Sequence, residues 1–329
     1  HYHYKVINNR NIYKESVTNS LKMHTTTDPN CPLCKVISGE YPSKKVYEDD
    51  KIFCALDINP ATKGHIILIP KNHYPIMPVI PPDDFKHIAR GAYKISESLK
   101  RAMVTSKTTI FIANGGIADQ QSSHFLIHII PSEKMHAFDI KKNIDPDTNI
   151  YDALKKNLNI MMNNHSKREN KDLIGQETEL MFENEHLKAM IPKNTMVNGH
   201  IELSAKSNIN MSQFEDFFYL ASYGATAAFE YLGAQGSNIM VNHTDLGFDA
   251  HIVPRFSGDG LNFMWTPNKF SDPEMDNIKN AISFETTGIN LKPMNTNKPK
   301  VTKFSELKSL DDIKITENKT SFISKILQK

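Results

Sequence analysis

Two octapeptides set the rhythm of the chain. Gly64-His-Ile-Ile-Leu-Ile-Pro-Lys71 returns as Gly199-His-Ile-Glu-Leu-Ser-Ala-Lys206, with Gly, His, Ile, Leu and Lys in register. Ile127-His-Ile-Ile-Pro131 returns as Ala250-His-Ile-Val-Pro254. These short apolar runs read as strands. Between each pair lies an apolar series at helical spacing: Phe85, Ile88, Ala92, Ile95 and Leu99 in the first half, and Phe214, Phe217, Ala221, Ala225 and Phe229 in the second. Ser212 and Glu215 predict a capping box for the second helix. Asp145-Pro-Asp147 and Asp272-Pro-Glu274 follow the two HI-P strands, and each predicts a further helix with proline in its first turn. A shared order of strands and helices implies an internal duplication.

The pattern breaks twice. The charged stretch 166–174 reads as a linker, and 288–329, rich in Lys, Asn, Thr and Ser, reads as a polar tail with at most a short helix around Lys319 to Leu327. Residues 1–28 read as a poorly ordered leader, in which Met23 offers a possible alternative start. The expected organisation is a first domain over 29–165 and a second over 175–287.

Composition narrows the class. A net charge of +2 over 329 residues gives no electrostatic argument for nucleic acid or a membrane surface. No apolar run approaches the roughly 20 residues of a spanning helix, so a soluble, cytoplasmic protein is expected. Three cysteines cannot form a disulfide scaffold, and the pair Cys31-x-x-Cys34 points to metal or redox chemistry.

Candidate chemistry gathers in the first half. His124, Leu126 and His128 alternate with Phe125 and Ile127, so on a strand the three face one side. Asp57 precedes Asn59-Pro60, where an aspartate commonly caps a turn. Gly115-Gly116 fits a tight turn as well as a phosphate loop. His65 reads as a packed strand residue, and His87 and His136 as surface histidines.

Together the CxxC pair, the Asp57 to His73 segment and the Asn114 to Pro131 segment resemble the histidine-triad (HIT) family, whose signature is H-φ-H-φ-H-φ-φ. The likeness runs from Cys31 to about Ile150. It implies an α+β fold with the triad on an antiparallel sheet, and two tandem HIT-like domains packed as an intramolecular pseudo-dimer. It also implies nucleoside-phosphate binding, with the middle histidine attacking the α-phosphate. Here that middle position is Leu126, which has no lone pair; the register that would make His128 the nucleophile misplaces Pro131 and residues 120–123. His128 keeps at most a residual catalytic role.

The resemblance carries a structural Zn²⁺ onto Cys31, Cys34, His73 and His124, a set that suits tetrahedral zinc. It carries nucleotide binding onto Asp57, Asn114, Gln120, Ser122, Ser123 and His128. In the second half the triad positions read Gly247, Asp249 and His251, Pro192 stands at the Asp57 position and Asn208 at the His73 position. No zinc and no conventional nucleotide site are expected there. The leading expectation is a nucleotide-binding or scaffold protein without nucleotidyl transfer. The alternatives are a slow nucleotide hydrolase or transferase acting through water near His128, and an interaction platform for a protein partner.

Overall fold

A computed structural model describes residues 27–132, 144–166 and 179–292. Most of the leader, most of the tail, the 166–174 linker beyond Ser166 and His136 therefore lie outside the described residues. The elements run α1 Pro32–Ser38, β1 Lys45–Glu48, β2 Ile52–Leu56, β3 Ile66–Pro70, α2 Pro82–Met103, β4 Lys107–Asn114, β5 Ile127–Pro131, α3 Thr148–Ser166, β6 Leu180–Glu183, β7 Leu187–Met190, β8 Ile201–Ala205, α4 Met211–Leu232, β9 Gly236–Thr244, β10 Gly247–Arg255 and α5 Asp272–Thr286. All ten strands join one sheet in the order β1-β2-β3-β5-β4-β9-β10-β8-β7-β6. Every neighbouring pair is antiparallel. The order reads alike from either edge, and its centre is the β4–β9 pair, running from Lys107↔Thr244 to Asn114↔Ser237. All of these elements fall within one compact unit ending at Leu291.

The sheet is amphipathic in a particular sense. One face packs against α2 and α4, and a single apolar cluster runs from Ile52 and Leu68 through Phe85 and Phe218 to Ile201 and Ile252. The helices meet across it, with the Phe85 ring 5.2 Å from Phe218 and 4.5 Å from Tyr219. Each such side chain fully withdrawn from water contributes roughly 1.5–3 kcal/mol. This continuous core is the physical reason the two halves do not behave as separate globules. Gly91 lets α2 approach the sheet, because a Cβ there would lie 2.5 Å from Ile52 Cδ1.

An ion pair is buried in the same junction. Arg90 Nε on α2 lies 2.6 Å from Glu215 Oε1 on α4, with both side chains nearly covered, and Arg90 Nη1 also donates to the Leu291 carbonyl. The expected capping box on α4 is corrected by this arrangement. The box is formed by Asn210, whose side chain accepts from Ser212 N and Gln213 N, and by Gln213, which returns to Asn210 N. Glu215 is thereby left to meet Arg90. Removing one partner of a buried pair strands the other charge, at a cost of roughly 3–5 kcal/mol. Glu215→Ala is expected to lower the unfolding free energy read from a urea titration by that much, whereas Arg90→Met with Glu215→Met recovers most of the loss.

Two smaller expectations also shift. Ser271 and Glu274 do cap α5, with Pro273 in its first turn, but Pro146 stands two residues before α3, where the Asp147 carboxylate accepts from Asn149 N instead. His87 is not a free surface residue: its Nε2 lies 2.8 Å from Asp49 Oδ2. The repeated Gly-His motif has a clear cause. Gly64 and Gly199 take φ of +85° and +87°, which close a turn ahead of β3 and β8. Each turn aims a backbone N–H, from Ala61 or Met196, at Nδ1 of the following histidine.

Candidate functional site

The site begins at α1. Cys31 caps this helix and Cys34 lies one turn on, so the two thiols share a face. His73 follows β3 and His124 precedes β5, and the two imidazoles close over the thiols. Cys34 Sγ lies 3.4 Å from His73 Nδ1 and 3.5 Å from His124 Nδ1, and Cys31 Sγ lies 3.7 Å from His124 Nδ1. All four ligand atoms fall within 4.8 Å of one another. A tetrahedral ion with usual Zn–S and Zn–N bonds would set sulfur and nitrogen about 3.6 Å apart, so the spacing fits. The far side of His124 is also set: its Nε2 faces the Pro70 carbonyl at 2.9 Å, which puts a proton on Nε2 and the lone pair on Nδ1, toward the cluster. Burial raises the Cys34 thiol pKa, and burial together with His73 pushes His124 down to about 4. The group is thus a four-ligand set able to hold a metal ion.

Next to it lies a second cluster. Asp57 Oδ1 accepts from Asn59 N, so the turn-capping role is real. Its Oδ2 faces inward, 3.5 Å from His65 Nε2 and 3.3 Å from His128 Nδ1. His65 is almost fully buried; its Nδ1 accepts from Ala61 N, so the neutral ring carries its proton on Nε2. That N–H points at His128 Nδ1, 3.0 Å away. His128 then accepts at Nδ1 and carries its own proton on Nε2. Although Asp57, His65 and His128 lie close enough to bracket an ion, the proton on His65 Nε2 makes the trio a hydrogen-bond chain and not a ligand set. Burial and the neighbouring His128 push His65 down to about 3. Burial works to raise Asp57, but the two imidazoles and the Asn59 N–H outweigh it and leave the carboxyl below its ordinary value.

Leu126 sits between these clusters. It lies just before β5 and packs beside Phe53, Ala55 and Ile69, with Leu33, Val36 and Ile37 of α1 in the same apolar group. The residue between His124 and His128 is therefore part of the apolar seat of α1.

The loop after β4 uses its polar side chains on itself. Asn114 Oδ1 accepts from Met77 N. Gln120 Oε1 accepts from Gly115 N, and its Nε2 donates to the Pro75 and Ser122 carbonyls. Both amide protons of Gln120 are spent, so it braces the loop. Ser122 Oγ accepts from His124 N, and Ser123 is exposed. Asp57 and His128 are thus brought together, while Asn114, Gln120 and Ser122 act on the backbone around them.

Sequence reasoning missed His65 as a member of the site, and it missed Trp265 altogether. The segment between β10 and α5 crosses onto the Asp57 turn, where Trp265 Nε1 donates to the Asn59 carbonyl and Asn268 N to the Pro60 carbonyl. The indole stands edge-on to His128 and His65, with ring centres 5.0 and 5.2 Å away. The segment is anchored by Arg255, which is buried and binds Asp259, the Leu261 carbonyl and Asn238; Asn238 in turn donates to the Ala118 carbonyl. The only signal was that the chain's one tryptophan lies in a stretch without strand or helix periodicity.

A family model described as HIT domain matches residues 38–135. The chain is similar to a HIT-like protein of Methanocaldococcus jannaschii, 38% identical over 36% of this chain and 93% of that protein. It is similar to adenylylsulfatase HINT3 of Arabidopsis thaliana, 37% identical over 33% of this chain, and spans 56% of that protein. It is also similar to adenosine 5'-monophosphoramidase HNT1 of Saccharomyces cerevisiae, 35% identical over 35% of this chain and 70% of that protein. No helix among the described residues is long and apolar enough to cross a membrane.

Proposed function

The chain belongs to the HIT domain family, and from that premise we propose that its first half is a zinc-anchored nucleoside-phosphate-binding module that does not pass through a nucleotidyl-histidine. One observation carries the reading. Of the three triad positions, the first faces the thiols, the middle one is an aliphatic side chain in the seat of α1, and the last has its Nδ1 lone pair occupied by His65. A nucleophile needs a free lone pair, and none is offered at these three positions. What remains suits binding. Asp57 provides a carboxylate for hydroxyls, His128 Nε2–H a donor for an anionic oxygen, and the exposed Ile58 and the Trp265 edge an apolar boundary. Zinc is the metal that two thiolates and two imidazoles favour. It would hold α1 and the 121–126 segment in place, leaving the chemistry of binding to the chain's own side chains.

The second half completes this module. Its strand β9 pairs with β4, and its β10–α5 segment delivers Trp265. We read it as the covalently attached counterpart of a second subunit, held near at high effective concentration, with 29–165 and 175–287 as the two repeats.

Trp265 is the only tryptophan, so its emission reports on this site alone. Titration with AMP is expected to change that emission saturably, and Asp57→Asn to weaken the response about tenfold, one lost charge-assisted hydrogen bond being worth roughly 1.5 kcal/mol. An unchanged spectrum at millimolar AMP removes the binding half of the proposal. A second measurement concerns turnover. If release of AMP from adenosine 5'-phosphoramidate exceeds the buffer rate and is lost in His128→Ala, the water-mediated hydrolase is the better reading.

A further inference from the structure

The second half keeps the histidine pair of the first and changes what surrounds it. His200 is fully buried; its Nδ1 accepts from Met196 N at 3.2 Å, and its Nε2 lies 3.1 Å from His251 Nδ1. These values match 3.0 and 3.0 Å for His65 and His128. By the same proton logic His251 carries its proton on Nε2. That group has no protein partner among the described residues, and His251 lines a cavity of about 370 Å³.

The walls of this cavity hold two of the three departures between the repeated octapeptides, the two that replace an apolar side chain with a polar one. In the first half the strand beside His128 offers Ile67 and Ile69, both apolar and packed with α1. In the second half the same positions are Glu202 and Ser204. Glu202 stands directly across from His251 in register, and Ser204 across from Asp249. Side chains opposite one another on an antiparallel pair share a face within contact distance. No counterpart of α1 covers them among the described residues. The Glu202 side chain has neither an ion pair nor a hydrogen bond among those residues. The carboxylate under the first pair, Asp57, is Pro192 here, and with Ile191 and Met190 it gives the cavity an apolar wall. A half retained only for packing would have no need of a polar pair at these two positions, opening into one cavity with an unpartnered imidazole N–H.

The chemistry selects a ligand class. A carboxylate accepts from two adjacent hydroxyls at once, and the His251 N–H and Ser204 hydroxyl supply complementary partners. The apolar wall suits a flat ring. Glu179 and Glu202 together outweigh Lys193 and disfavour a phosphate. We propose that this cavity is a second binding site, specific for an unphosphorylated nucleoside held through its ribose diol by Glu202 and His251. The volume falls in the range of small-molecule sites. The proposal does not depend on nucleotide binding by the first half.

Isothermal titration of the 329-residue chain with adenosine tests it. One saturable binding event is expected that leaves Trp265 emission unchanged. It should weaken at least tenfold in Glu202→Gln and survive Asp57→Asn. Adenosine should bind at least tenfold more tightly than 2′-deoxyadenosine, which lacks the diol, and more tightly than AMP. Glu202 is half-buried and free of structural bonds, so Glu202→Gln should melt with the wild type, and a matched Tm validates the comparison. Absence of adenosine binding at millimolar concentration overturns the proposal. So does binding that ignores Glu202→Gln, that is lost in Asp57→Asn, or that is equal for 2′-deoxyadenosine. A missing Trp265 response to AMP bears only on the first site.

Discussion

Replacing Cys34 with serine is expected to strip the protein of one equivalent of zinc and to lower its Tm by about 6 °C, the shift that some 3–4 kcal/mol produces in a chain of this size. The cluster explains why the loss is large. Its ligands come from α1, the segment after β3 and the segment before β5, with Cys31 and His124 separated by 93 positions in the chain. Among the described residues no hydrogen-bonded ladder joins α1 to the sheet, so the thiol–imidazole cluster and the small apolar group around Phe53 and Ile69 are what seat it. Metal binding free energy at such a site is folding free energy for the pieces it gathers. The main core, which runs unbroken through both halves, should survive, so a folded but metal-free protein with loosened 71–76 and 121–126 segments is expected, not an unfolded chain. Metal analysis of purified protein beside a thermal melt reads both effects. Cys54→Ser is the control: that thiol is fully buried, lies outside the cluster, and should cost no metal. Retention of a full equivalent of zinc in Cys34→Ser would place the metal elsewhere.

The second large effect is a gain. Leu126→His is expected to become nucleotidylated by adenosine 5'-phosphoramidate under conditions in which the wild type is expected to stay unmodified. In the step, a lone pair of the new imidazole forms an N–P bond, the P–N bond to the amine breaks, and the leaving amine takes a proton. His128 Nε2–H is a candidate donor. Position 126 is only partly buried at the edge of its apolar group, so the substitution should be tolerated structurally, costing about 1–2 kcal/mol of lost packing. Intact-mass spectrometry reads the adduct directly, and peptide mapping assigns it. An adduct on the wild-type protein at His128 would show that the last triad histidine attacks in spite of its bond to His65. An L126H protein that binds AMP through Trp265 yet stays unmodified would mean that more than the nucleophile has been given up, and the spent amide of Gln120 is the first place to look.

Much of this protein was legible in its sequence, and the reason is periodicity. Short apolar strands and helices with apolar residues at helical spacing leave a local imprint, so the repeated strand–helix order and the α+β class followed from Gly64–Lys71, Gly199–Lys206 and the phenylalanine-rich helix of the second half. The cluster able to hold a metal ion was legible because thiol spacing on one helical turn is local, and the family resemblance supplied the two histidines. That Leu126 stands between His124 and His128 was legible by position alone. What the tertiary structure decided is what local pattern cannot carry. Trp265 reaches a carbonyl 206 positions away, because β10 ends where a buried arginine turns the chain back across the first half. The roles of His65 and Gln120 depend on which neighbour takes each proton, and that is fixed by backbone groups brought close only when the strands pair. Glu215 looked like a helix cap and became half of a buried ion pair, since its partner lies on the other helix. The sequence determined the elements and the chemical inventory. Only the closing of ten strands into one sheet decided which of those groups face one another, because hydrogen bonds and ion pairs across the sheet are set by register and approach, not by adjacency in the chain.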